Sequence, residues 1–240
     1  MAIVPFLAMT AAEMGNVSAF PPKIAWMACH FSPYGLGLSN LPGELPPQSL
    51  ILLDDITPMR KHDPKVITNQ LLERIEELAC SGVLLDFQRE NCPEMEALVH
   101  RLTQALPCPV IVSDRYARGL CCPVFLPPVP PSVPLEEHIS PWEGREIWLE
   151  IGLTGELLTL TEQGCNASPL PYPDDNREGF AEESLHCHYT IETNEKSARF
   201  TLWRTTDDLI SLLNEAERLG IHGAVGLYQE LRNFSQCGQP

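Results

Sequence analysis

Basic residues are scarce in this chain: 16 Lys and Arg stand against 32 Asp and Glu in 240 residues, a formal charge of -16. Such an exterior repels phosphate backbones and anionic lipid, so neither nucleic acid nor a membrane surface is expected as a partner. No basic residue precedes the apolar run at the amino terminus, and Pro5 and Glu13 interrupt it, so no signal peptide is expected. No stretch approaches the roughly 20 apolar residues of a membrane span. The nine cysteines lack paired spacing, and several sit inside apolar runs such as ACSGVLL and LPCPVIV. They read as small buried hydrophobes in a reducing, cytoplasmic compartment, not as a disulfide framework.

Other absences narrow the chemistry. No GxGxxG or GxxxxGK[ST] follows any apolar run, which removes support for a nucleotide site. There is no GxSxG, and Cys29 and His30, adjacent on one strand, point to opposite faces and so cannot form a nucleophile pair. His186 and His188 in HCHY share a strand face and His30 follows another strand, but no second pair at fixed spacing completes a zinc site. Ordinary polar strand residues are the preferred reading, with no metal and no cofactor.

What is present is an alternation. PKIAWMACHFSP, SLILLDDITP, GVLLDFQRE and CPVIVSDRY are short apolar runs that end in polar residues, as buried parallel strands do. Between them, Asp63 and Pro64 start a helix whose apolar stripe runs through Ile67, Leu71, Leu72, Ile75 and Leu78 until Gly82. Pro93 starts another, with Leu98, Leu102 and Leu106 inward. After Gly119 the many prolines predict one strand and an extended linker in place of helices. REIWLEIGLTGELLTLTEQGC alternates on either side of Thr154-Gly155 and predicts a hairpin; SPLPYPDDNREGFAEES reads as loop, and a second hairpin turns at Asn194 to Lys196. A helix capped by Thr206 and stopped by Gly220 leads to a last buried strand, HGAVGLYQE. The pattern is α/β: a TIM-type barrel, trimmed or irregular, favoured over a doubly wound sheet. It forms a single domain over 1–240 with a β-hairpin-rich insertion at about residues 140 to 200.

Two segments resemble glycoside hydrolase family 18, the chitinase-like barrels. Ser81 to Gln88 reads S-G-V-L-L-D-F-Q where that family carries DxxDxDxE, usually DGVDLDWE, on its fourth strand; of the four acids only Asp86 is present. TTDDLISLLNEAERLGIHGAVGLYQEL is similar to the family's closing helix and eighth strand, with Tyr228 where the family has the tryptophan that floors its sugar site. The resemblance implies a TIM-type barrel of carbohydrate-related ancestry. Only two obvious strands precede the motif, where the family has three.

In the family mechanism the last acid of the motif protonates the glycosidic oxygen, and Gln88 has no proton to give. Losing general-acid help costs about 10²–10⁴ in rate. The expectation is therefore a glycosidase-like barrel that has lost hydrolysis and binds a saccharide or a protein partner around Asp86, Gln88, Asp114, Tyr116, Tyr228 and Glu230. The alternative is a glycoside hydrolase using another carboxylate pair at the strand ends, with Asp86, Asp114, Glu230 and Asp54 as candidates. Asp54 or Asp55 (adjacent residues, so at most one facing the mouth), Glu90 and Arg115 also stand at strand ends, and Trp26 and Tyr34 are further aromatics near that face. Against each acid stands a structural role, a loop hydrogen bond or an ion pair.

Overall fold

The computed structural model describes residues 3–17, 19–170 and 177–232. The chain begins with strand β1 (Phe6–Met9), a short helix α1 (Ala11–Met14), β2 (Ile24–Phe31) and a two-residue strand β3 (Leu38–Ser39). Strand and helix then alternate through β4 (Leu50–Asp54), α2 (Pro64–Leu78), β5 (Gly82–Asp86), α3 (Pro93–Ala105), β6 (Val110–Ser113), α4 (Asp114–Ala117), β7 (Val124–Leu126), α5 (Leu135–Ile139) and β8 (Ile147–Ile151). Five strands follow, β9 (Gly155–Thr161), β10 (Gly164–Leu170), β11 (Phe180–Glu182), β12 (Cys187–Thr193) and β13 (Ser197–Trp203), before α6 (Thr206–Arg218), β14 (Gly223–Leu227) and α7 (Tyr228–Leu231).

Eight of these strands pair in parallel in the order β1-β2-β4-β5-β6-β7-β8-β14, and β14 returns to β1 through Phe6↔Val225, so the sheet closes into a TIM-type barrel. β3 is an antiparallel addition to the outside of β2. Closure removes every sheet edge from the ring. Side chains alternate across the wall: Phe6, Leu50, Leu52, Leu84, Ile111, Phe125 and Val225 fill the interior. Met9, Ile51, Leu53, Val83, Leu85 and Val112 point outward into a second apolar layer shared with the helices.

The helices form where the sequence supplies their ends. The Asp63 carboxylate accepts from the Lys65 amide at 2.8 Å, Pro64 occupies the first turn, and Ile67, Leu71 and Ile75 are buried against the barrel. α2 stops at Leu78 with Ala79 in the left-handed region (φ 50°), so Gly82 belongs to β5 instead of ending the helix. The cap of α6 is Thr205, not Thr206: its hydroxyl accepts from the Asp208 amide while the Asp208 carboxylate accepts from the Thr205 amide.

The barrel is trimmed as expected, in that among the described residues only α2, α3 and α6 are full-length outer helices; α1, α4, α5 and α7 have four or five residues each. Two expectations fail. Three strands precede β5, not two, because Phe6–Met9 closes the ring; four residues buried on both faces carry no periodicity to announce them. The Thr154-Gly155 hairpin does not form either. β8 lies in the barrel and β9 in a separate sheet, and Thr154 marks the crossing between them.

That separate sheet is antiparallel, in the order β10-β9-β13-β12-β11 over Gly155–Trp203, inserted between the seventh and eighth barrel strands. The turn at Asn194 to Lys196 is present, with the Asn194 side-chain oxygen accepting from Lys196 and Ser197 amides at 2.9 Å each. Both ends of the stretch read as loop are strand, β10 reaching Leu170 and β11 starting at Phe180; residues 171–176 lie outside the described residues. At the base of this arm Arg204, 1% exposed, donates to the carbonyls of Val129, Pro130, Leu185 and His186 and so ties the arm to the loop after β7. Its burial pulls the guanidinium down to about 10, leaving it charged at neutral pH.

Candidate functional site

In a parallel barrel every strand ends at the same rim, so the residues that finish the strands converge. Asp54 ends β4 and Asp86 ends β5, and the two are direct neighbours in the ladder. Across the mouth stands Glu150 on β8, level with Val225 of β14. These three acids and Asp55 border a cavity of about 520 Å³ whose floor is apolar, made by Ala8, Leu52, Phe125 and Val225, with Met27, Ile56, Gln88, Arg89, Gly226 and Leu227 completing the wall.

The loop after β5 is fixed by Asp55. Its two carboxylate oxygens accept from the Gln88 amide at 3.0 Å and the Arg89 amide at 2.9 Å, while the Arg89 guanidinium donates to the Asp55 and Ile56 carbonyls at 2.7 Å each. Both Asp54 and Asp55 line the cavity, against the expectation that at most one would, because β4 ends at Asp54 and alternation stops there; Asp55 is committed to shaping the rim, and Asp54 Oδ1 accepts from the Ile56 amide at 3.0 Å. With its backbone held, Gln88 turns its side-chain amide onto Oδ1 of Asp86. Gln88 lies two residues beyond the end of β5, so it is this loop, and not strand alternation, that brings the two side chains together.

Acids that meet in a half-dry cavity resist ionising together. Burial raises Asp54, and its neighbours Asp86 and Asp55 add to the effect against the Ile56 amide and His30. Burial also raises Asp86, and the Gln88 amide works in the opposite direction. Glu150 is pushed furthest, to about 7, first by burial and then by the negative charges of Asp86 and Glu230. The mouth can therefore hold a neutral carboxyl facing a carboxylate near neutral pH, an arrangement suited to donating and accepting hydrogen bonds from hydroxyl groups.

The remaining predicted residues take other places. Asp114 opens α4 and Tyr116 packs its ring edge-on against Phe87 at 5.8 Å, with its hydroxyl donating to the Glu90 carbonyl at 3.1 Å; neither borders the cavity. Glu230 accepts from the Leu153 amide at 3.1 Å. Tyr228 starts α7 and packs on the outer apolar layer, so the eighth-strand wall of the cavity is Val225, Gly226 and Leu227. Trp26 is buried in the outer layer with its indole N-H on the Asn40 carbonyl, and Tyr34 is 99% exposed on a loop. His186 and His188 do not share a strand face. His186 precedes β12 in the left-handed region and pairs with Glu215, while His188 pairs with Asp208 at 2.8 Å. No cluster of three metal-ligating side chains occurs among the described residues.

Sequence reasoning missed Glu150. In IWLEI it looked like the polar side of an alternating hairpin strand, whereas Trp148 and Glu150 are the inward positions of a barrel strand. A charge facing the inside of a closed ring is the signal that identifies it.

No protein-family model matches this chain, and no curated protein matches it. Solved structures do. The spore cortex-lytic enzyme SleL of Bacillus cereus superposes with a TM-score of 0.52 at 12% identity, over 85% of this chain and 63% of that one. A chitinase of Chromobacterium violaceum superposes with a TM-score of 0.52 at 11% identity, over 91% of this chain and 92% of that one. This chain thus spans 63% of the length of the SleL chain it matches. The fold is that of a divergent chitinase-like barrel. β5 is its fourth barrel strand, the one on which the resemblance places DxxDxDxE, and β14 its eighth.

Proposed function

We propose that this chain holds a saccharide at the mouth of its barrel and has lost the hydrolytic route of the chitinase-like family. The observation that carries the reading is the Gln88 amide donating to Asp86 at the cavity's rim, at the motif position where the resemblance calls for the proton donor. A carboxamide keeps the shape of the missing glutamate and its hydrogen bonds, but has no acidic proton for a leaving oxygen. The apolar floor suits a sugar-ring face, and the acids at the rim suit its hydroxyls.

Restoring the acid tests the reading. In Gln88→Glu the new carboxyl sits beside Asp86, whose negative charge raises its affinity for a proton. The expected result is slow hydrolysis of a chitooligosaccharide by the variant and none by the parent chain. A variant as inert as its parent, with neither chain's melting temperature shifted by the sugar, removes the saccharide reading.

A second reading is favoured by the state of Glu150. A carboxyl held near 7 opposite Asp86 is the pairing expected of a hydrolase that uses Glu150 as acid and Asp86 as base. Hydrolysis by the parent chain that disappears in Glu150→Gln while sugar binding persists selects this reading over the first.

A further inference from the structure

The cavity at the barrel mouth is walled by acids that have little positive charge to meet them. Asp54 is 8% exposed; its Oδ1 accepts from the Ile56 amide, and its Oδ2 takes no hydrogen bond among the described residues. Glu150, on the opposite wall, makes no hydrogen bond or ion pair with any described residue. Arg89 is the one basic residue lining the cavity, and its guanidinium is turned to the Asp55 and Ile56 carbonyls. His30 of β2, level with Asp54 in the ladder, offsets part of the Asp54 charge from outside the lining. The wall therefore offers hydrogen-bond acceptors and negative charge above an apolar floor.

We propose that the saccharide this mouth selects carries a free ammonium group, as an oligomer of glucosamine does, in place of an uncharged acetamido group. The inference rests on the saccharide reading given above and adds the charge of the sugar. An ammonium has three donors and no acceptor, which matches Asp54 Oδ2 and the Glu150 carboxylate, whereas an acetamido group brings a carbonyl oxygen toward them. The net charge of -16 draws a cation in from a distance. A bare divalent ion fits less well. The acids do not converge on one point, since no group of three metal-ligating side chains occurs among the described residues, and an ion leaves the apolar floor and most of the 520 Å³ unfilled. Without sugar, the missing positive charge is a proton on Glu150, which that carboxyl holds up to about 7. An ammonium placed beside it takes over that role: the carboxyl O-H breaks, its proton leaves to solvent, and the carboxylate pairs with the sugar. Asp86 and Glu230 are the charges that act on Glu150, and His30, Asp86 and Asp55 those that act on Asp54, so both acids sit in a field that favours a cation.

Calorimetric titration of the full chain with glucosamine oligomers and with N-acetylglucosamine oligomers of equal length tests this at about pH 6, where a sugar amine is charged and Glu150 holds its proton. The glucosamine oligomer is expected to bind at least about tenfold more tightly, and its affinity to fall as salt rises. Its binding enthalpy is expected to vary with the ionisation heat of the buffer, as release of a proton requires. In Glu150→Gln, with its fold checked by circular dichroism, proton release shrinks and the preference for the amine narrows while the acetylated oligomer still binds. Equal or tighter binding of the acetylated oligomer by the parent chain overturns the charge inference and leaves the saccharide reading standing; binding of neither oligomer overturns both. A preference unchanged in both Glu150→Gln and Asp54→Asn overturns it by placing the amine elsewhere. Putrescine bound as tightly as the glucosamine oligomer overturns it too, by leaving the sugar ring without a part.

Discussion

The barrel and the arm are both β-structure, yet they obey opposite rules. Every residue of β4 is buried, while β12 passes from a buried base to an exposed tip. A barrel strand has packing on both sides and so must be apolar at each position except where the ring opens. An arm strand has solvent on at least one side, and a polar residue there signifies nothing beyond hydration. The same carboxylate therefore carries different information in the two regions. Asp86 at the end of GVLLD lines a cavity, whereas Glu192 in the arm is exposed on its polar face.

Joining two such regions takes a specific contact, and Arg204 supplies it. Arg204→Met keeps most of the volume but leaves the Val129, Pro130, Leu185 and His186 carbonyls without their donor. A loss on the order of 3–5 kcal/mol in thermal or denaturant unfolding is expected, the largest effect among these variants. A loss under about 1 kcal/mol means that apolar contact alone seats the arm on the barrel.

The next largest effect separates the mouth from the arm by pH. Glu150 binds its proton more tightly folded, near 7, than at its ordinary value of 4.5. The folded state therefore holds more protons between those values, and stability falls as pH rises through that window. The expected drop is about 3 kcal/mol from this group, with Asp54 and Asp86 shifted in the same direction. In Glu150→Gln the melting temperature should be flatter between pH 4.5 and 7, and a profile as steep as the parent's contradicts the half-buried position of Glu150 at the mouth. A smaller change is expected where the arm hands over to α6: Thr205→Ala removes the cap and costs about 1 kcal/mol.

The contrast between regions also explains what was legible in the sequence. β2, β4, β5 and β6 were readable as buried strands, α2 and α3 by their opening prolines and apolar stripes, and α6 to within one residue of its cap, because each satisfies a local rule. β1 was missed since four residues are too few to display a period. β8 was read as half of a hairpin because its inward Trp148 and Glu150 face a ring that widens into the cavity, leaving them half-buried and giving a barrel strand the alternation of an arm strand. Within the site, the resemblance pointed to Asp86 and Gln88, and Asp54 stood among the acids at strand ends. Glu150 did not, since its role depends on closure, and closure depends on β1 meeting β14. The arm's antiparallel register showed in its turn at Asn194, but its five-stranded order emerged only once the pairing was known.

The most direct test is to titrate the unmodified chain with a chitooligosaccharide by calorimetry, then recover the sugar and measure its length. The account predicts saturable binding, weakened by Asp86→Ala, and sugar recovered intact. Absence of binding, or shortened sugar from the unmodified chain, contradicts it.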